Sequence, residues 1–176
     1  NIAIGRNTMF ANTTGTENTA VGSEALDSNT TASENTAVGI RALTANTTGG
    51  ANTAVGKNAL LDATTSANNT AVGVEALQNV TTGTGSNVGV GRSSGEGLTT
   101  GCFNTMIGFQ AGTSSTTPEG NTFIGKAAGC NAVNGNNNTA LGINAGIDAV
   151  KNMTGSDNHN IVIGNNGNTH AYIKID

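Results

Sequence analysis

The stretch NTAVGSEALDSNTTASE occupies residues 18–34, and NTAVGIRALTANTTGGA follows it at residues 35–51. A fixed-period repeat has to be read before any local propensity, because it decides the fold class. The phrase opens on Asn1, Asn18, Asn35, Asn52, Asn69, Asn87, Asn104, Asn121, Asn138 and Asn160. The spacing is 17 residues except for 18 before Asn87 and 22 before Asn160. Both longer steps fall in Gly-, Ser- and Asn-rich text, where a loop lengthens at small entropic cost. No linker or change of composition divides the chain. It reads as one array over 1–159, closed by a terminal coil or strand at 160–176.

Composition supports an array over an ordinary globular core. Of 176 residues only 3% are aromatic and 10% charged, with no Trp, 26 Gly and 27 Asn. Such a chain buries small side chains repeat by repeat or not at all. With a net charge of −4 there is no basic patch to neutralise phosphates, which argues against nucleic-acid binding. No run of ~18 apolar residues is present, so no membrane insertion is expected. The sequence starts inside the array, on the repeat's leading Asn1, without Met or a signal-like segment, as expected of a fragment or processed piece. Cys102 and Cys130 fall in different columns about two coils apart. At ~4.8 Å per coil they are too distant for a bridge within one chain, so both are expected free.

Seventeen residues are too few for a helical hairpin with turns, but they suit short strands and tight turns, which is one coil of a β-solenoid. Counting from the leading Asn, NTAVG is a strand phrase and xxAL begins a second half that ends near NTTG. Position 4 reads Ile4, Val21, Val38, Val55, Val72, Val90, Ile107, Ile124, Leu141 and Ile163. Position 3 runs from Ala3 through Gly89, Met106 and Phe123 to Val162 and is likewise never polar. Neighbouring strand positions point to opposite faces, so both faces avoid water. One can pack inside the coil. The other must find a partner, which is the argument for an oligomer. We place position 4 inside and assign Ala20, Ala37, Ala54, Ala71, Met106 and Phe123 to the trimer interface; the alternation alone also permits the reverse.

Position 5 is Gly throughout, including Gly22, Gly39, Gly56 and Gly73. This implies a φ > 0 turn or a close backbone approach. The leading Asn18, Asn35, Asn52 and Asn69 are expected to form an amide ladder from coil to coil. Position 9 changes from Met9, Leu26, Leu43, Leu60 and Leu77 to Gly95, Gly112, Gly129 and Gly146. Bulk appears at Met106, Phe109 and Phe123 over the same coils, so a repacked cross-section is expected near residue 90.

NTAVGxxAL and NTFIGKAAG resemble the head repeats of trimeric autotransporter adhesins of the YadA type. That resemblance implies an all-β, left-handed parallel β-roll or β-solenoid of about ten 17-residue coils, assembled as a homotrimer. The longer period and the NTTG turns are more similar to repeats in phage tail fibres and bacterial surface fibres, many of which precede a cleaved intramolecular chaperone. NIVIGNNGNTHAYIKID (160–176) resembles the stretch before such a chaperone. The adhesin repeat is shorter than this one, so roll width and loop length do not transfer. The resemblance implies an extracellular place, on a virion tail or a bacterial surface, and a cell-surface receptor or glycan as partner.

Chemistry is sparse. Glu24, Arg41 and Glu75 share position 7, and Glu24 with Arg41 is expected to pair across adjacent coils for roughly 0.2–1 kcal/mol. Glu17 and Glu34 stack as like charges. Paired carboxylates could serve glycoside hydrolysis or a calcium site, but no sugar-stacking aromatic accompanies them. His159 and His170 form no His-x-His pair. GVGRSSGEG (89–97) misses the GxGxxG phosphate loop, and no nucleophile has His at a motif spacing. The NTT tripeptides fit a glycosylation sequon but read as turns. No catalytic residue, metal or cofactor is expected.

The leading expectation is therefore a non-enzymatic structural and adhesive fibre segment with recognition on the variable loops. Candidate binding residues are Gln110, Lys151, Asn152, Asp157 and His159. A monomeric ice- or surface-binding solenoid is the alternative, on the ladder Thr19, Thr36, Thr53 and Thr70. The Val column beside it counts against that. A tailspike-like polysaccharide depolymerase is the third.

Overall fold

The computed structural model describes residues 1–147, 153, 157–165 and 167. Ten three-residue strands, one per repeat, form a single sheet: β1 Ile2–Ile4, β2 Thr19–Val21, β3 Thr36–Val38, β4 Thr53–Val55, β5 Thr70–Val72, β6 Val88–Val90, β7 Thr105–Ile107, β8 Thr122–Ile124, β9 Thr139–Leu141 and β10 Ile161–Ile163. They pair in sequence order, parallel and in register, so that Thr19 lies beside Thr36, Ala20 beside Ala37 and Val21 beside Val38. The fold is an all-β parallel solenoid with no helix among the described residues. The expected ten coils become eight regular turns. The ninth carries the 22-residue step, and the tenth is represented by β10 and a few residues after it.

The rest of each coil is held by the same logic. Backbone bonds run from position 9 to the carbonyl of position 8 one coil on, as in Leu26 N–H to Ala42 O at 3.1 Å and Leu43 N–H to Ala59 O at 3.0 Å. Position 13 threonines add their hydroxyls, Thr30 Oγ1 donating to Thr47 O and Thr47 Oγ1 to Thr64 O, each at 3.0 Å. Buried backbone groups are therefore paired even where no strand is present.

The leading asparagines form an unbroken ladder of nine rungs. Each backbone N–H donates to the side-chain oxygen of the Asn one coil before: Asn18 to Asn1, Asn35 to Asn18, and so on to Asn160 on Asn138. In most coils the side-chain NH₂ donates to the carbonyl at the next corner of its own coil, as Asn35 does to Gly49 and Asn52 to Ser66. Asn69 precedes the one-residue insertion and uses the Ser66 hydroxyl instead. A shorter ladder joins Asn12, Asn29 and Asn46. Three of its sequon asparagines are thus committed side chains, and Asn29 and Asn46 are fully buried. They are inaccessible to a glycosylating enzyme in the folded chain.

The turns use backbone conformations that L-residues seldom adopt. Positions 7, 9 and 17 lie in the left-handed region coil after coil, for example Glu24, Leu26 and Glu34 at φ 61°, 51° and 64°. Each non-glycine there costs about 1 kcal/mol, which the ladders must offset. At position 5 only glycine fits: a Cβ on Gly56, at φ 138°, would run into the Gly73 carbonyl of the next coil.

The inner face is position 3, which corrects the expectation for both columns. Ala20, Ala37, Ala54, Ala71, Met106 and Phe123 are fully buried inside their own chain, so they form no trimer interface. Position 4 faces outward. The cause is volume. Position 9 Leu and position 8 Ala already occupy the narrow interior, leaving room across from them for a methyl but not for Val. Where position 9 becomes Gly, Met106 and Phe123 grow into the space. A Cβ on Gly112 would lie 2.6 Å from Met106 Sδ, and one on Gly129 2.6 Å from the Phe123 ring. In the ninth coil Met153 does the same over Gly146 and is fully buried. Phe109, expected in this repacking, is instead exposed.

Candidate functional site

Strand alternation puts positions 2 and 4 on one outward face. The threonines of β2–β5 and β7–β9 are half-buried there, while Val38, Val55, Val72, Ile107 and Ile124 are each 36–40% exposed. Position 6 widens the stripe with Ile40, Val74, Phe109 and Ile143, all exposed. These side chains are held on strands that pair in register, so the face is flat and regular. Nine steps of about 4.8 Å give it a length of roughly 43 Å, and five residue columns a width of about 17 Å. At its C-terminal end Leu141, Ile143, Ile163 and Gly164 line an open hollow of about 610 Å³. The strand pattern signalled two apolar columns. What sets the outer column apart in the sequence is its narrow range, Val, Ile or Leu in every coil, while position 3 swings from Gly89 to Phe123 as position 9 empties.

Charges interrupt this face along its edge. Arg6, Lys57, Arg92 and Lys126 stand in the same position-6 column as Ile40, Val74 and Phe109, leaving Arg41 as the only other described Lys or Arg. Glu24 pairs with Arg6 at 2.6 Å, not with Arg41 as expected from their shared column. The Glu24 N–H bonds the Arg6 carbonyl at 2.9 Å, which sets Glu24 beside residue 6 of the preceding coil. Both side chains reach solvent, so the pair contributes at most about 0.2–1 kcal/mol.

The candidate binding residues are not gathered in one place. Gln110 is exposed at position 7 of the seventh coil. His159 is exposed at the corner before Asn160, with Nε2 3.4 Å from Asn137 Nδ2. Asp157 is half-buried beside it, and its backbone carbonyl accepts from Asn138 Nδ2 at 2.7 Å. Lys151 and Asn152 lie outside the described residues, as does His170. No group of three metal-ligating side chains occurs among the described residues. In GVGRSSGEG, Gly89 and Gly95 are buried against Leu77, so they form no open cradle. Cys102 and Cys130 are both free and half-buried, and burial pushes the Cys130 thiol up from its ordinary value. No helix among the described residues is long and apolar enough to cross a membrane.

The regular surface feature is thus a flat face of Thr, Val and Ile, edged by a column in which apolar and basic side chains alternate. It can bury area against another surface. No family model, curated protein or solved structure matches this chain.

Proposed function

We propose that the chain is a segment of a homotrimeric extracellular fibre, on a virion tail or a bacterial surface, that attaches to a cell-surface receptor or glycan and is not an enzyme. The observation that carries this reading is the exposed Val/Ile column at position 4. Roughly 700 Å² of face per chain is near the ~800 Å² per partner of a standard interface. The continuous aliphatic column within that face favours association in water. Threefold packing also follows the resemblance to head-repeat fibres. With the flat faces turned to a common axis, the variable corners at positions 10–17 point outward, where recognition would fall.

Light scattering on native protein tests the assembly. The expected mass is three times the 17.4 kDa monomer. A stable monomer would overturn the fibre reading. Binding of the trimer to cells or to a glycan array tests attachment, and sugar turnover would overturn the non-enzyme reading.

A second reading is favoured by one observation. The half-exposed threonines share the flat face with the Val column, so a monomer would present a regular hydroxyl and methyl lattice suited to ice or another ordered surface. Ice shaping by a monomer would select it.

A further inference from the structure

The buried apolar residues form two clusters among the described residues. One runs from Met9 to Leu98 through the Leu column, and the other from Met106 to Met153. They are divided at the sixth coil, residues 87–103. It is the one regular coil with glycine at both inner columns, Gly89 at position 3 and Gly95 at position 9. Its neighbours lean over it instead. A Cβ on Gly89 would lie 2.6 Å from Leu77 Cγ of the coil before, and one on Gly95 2.8 Å from Met106 Sδ of the coil after. Ser93 and Ser94 are buried here, Ser94 at a position where the flanking coils carry Ala. The preceding corner holds the one-residue insertion with Gly83 and Gly85, both at positive φ.

We propose that the solenoid consists of two cooperative units joined at this coil, and that the C-terminal unit opens while the N-terminal unit stays folded. In a stacked array, coupling passes only between neighbouring coils, through their shared core and their ladders. At the sixth coil the ladders continue, Asn104 N–H to Asn87 Oδ1 at 3.1 Å, but Leu98 is the only large side chain that the coil itself gives to the core. The C-terminal unit is the weaker one. It has fewer described regular coils and a smaller buried cluster, without the continuous Leu column of the N-terminal unit.

Native-state hydrogen exchange in low urea, read coil by coil, tests the division. Amides of residues 104–147 are expected to share one opening and those of 18–80 a second, better protected one. Met106→Ala should reduce protection in 104–147 by about thirtyfold or more, the effect of a core truncation, and leave 18–80 unchanged. Leu60→Ala should do the opposite. Met106→Leu keeps the volume and serves if the alanine variant fails to fold, with a smaller effect confined to the same residues. One shared opening for all amides, or either truncation lowering both groups by the same factor, would overturn the proposal.

Discussion

Ala51 sits in the left-handed region at φ 56° with its side chain in solvent. It pays the steric penalty of that conformation and gains no packing. Ala51→Gly is expected to stabilise the protein by about 0.5–1 kcal/mol, the steric relief less the added entropy of the unfolded glycine. A urea titration of the two proteins checks this, and a loss of stability would show that the strain at position 17 has been overstated. Asn52 is the opposite case. Its side-chain oxygen accepts the Asn69 N–H and its NH₂ serves the Ser66 carbonyl, all of it buried. Asn52→Ala would strand both groups and is expected to cost about 2–4 kcal/mol. A shift in the urea midpoint no larger than for an exposed Thr65→Ala control would mean that the ladder adds register but little stability. Both columns were legible as columns. Glycine at position 5 announced a special φ, because no other residue is free to take it. The left-handed turns at positions 7, 9 and 17 were signalled only by scattered residues such as Asn58, Gly95 and Asn68, since Glu, Arg, Leu and Ala in the same columns give no such sign.

A single coil is too thin to hold more than a few side chains, and its interior volume is shared between positions 3 and 9. Leu43→Ala is expected to cost about 2–5 kcal/mol, because its neighbours in the column are held by their own coils and cannot collapse into the void. Phe123→Ala should cost about 3–5 kcal/mol, since the ring covers Gly129 and Gly112 as well as its own coil. Combining Phe123→Ala with Gly129→Leu, which restores the pairing found at Ala54 and Leu60, should recover part of that loss; thermal unfolding of the three variants decides it. The inward face of the strand could have been read from this compensation. Leu77 gives way to Gly95 as Ala71 gives way to Met106 two coils on, whereas position 4 grows only by a methylene, from Val90 to Ile107. Period-two alternation assigns residues to faces but does not say which face is inside; reciprocal change in volume does. What alternation left open here, a steric count of the interior would have settled.

At the scale of the molecule the proposed trimer rests on the outward face. Lys at Val55 and Val72 places two charges in the centre of that face without touching the buried alanines. The double variant is expected to keep its fold by circular dichroism and to drop from three times 17.4 kDa to the monomer mass. A variant that folds and still trimerises would move the interface elsewhere on the coil. Reading the sequence was enough for the array, the parallel stacking and the apolar surplus, because all three are repeated in nearly every coil. The candidate binding residues were chosen from single loops, where nothing repeats and no column supports the choice. The structure accordingly leaves Gln110 in the seventh coil, away from Asp157 and His159 in the ninth.

The Asn ladder has a further consequence for how such a chain can change. Each rung joins one coil to the next through the same pair of atoms, whatever the coil's place in the stack. Deleting residues 35–51 would bring Glu34 against Asn52, and the text ASE-NTAVG would read on as it does at the native junction. Recombination between repeats would therefore add or remove whole turns without leaving a seam. Length becomes an inherited variable with a fixed graduation of about 4.8 Å, adjustable with no redesign of the cross-section.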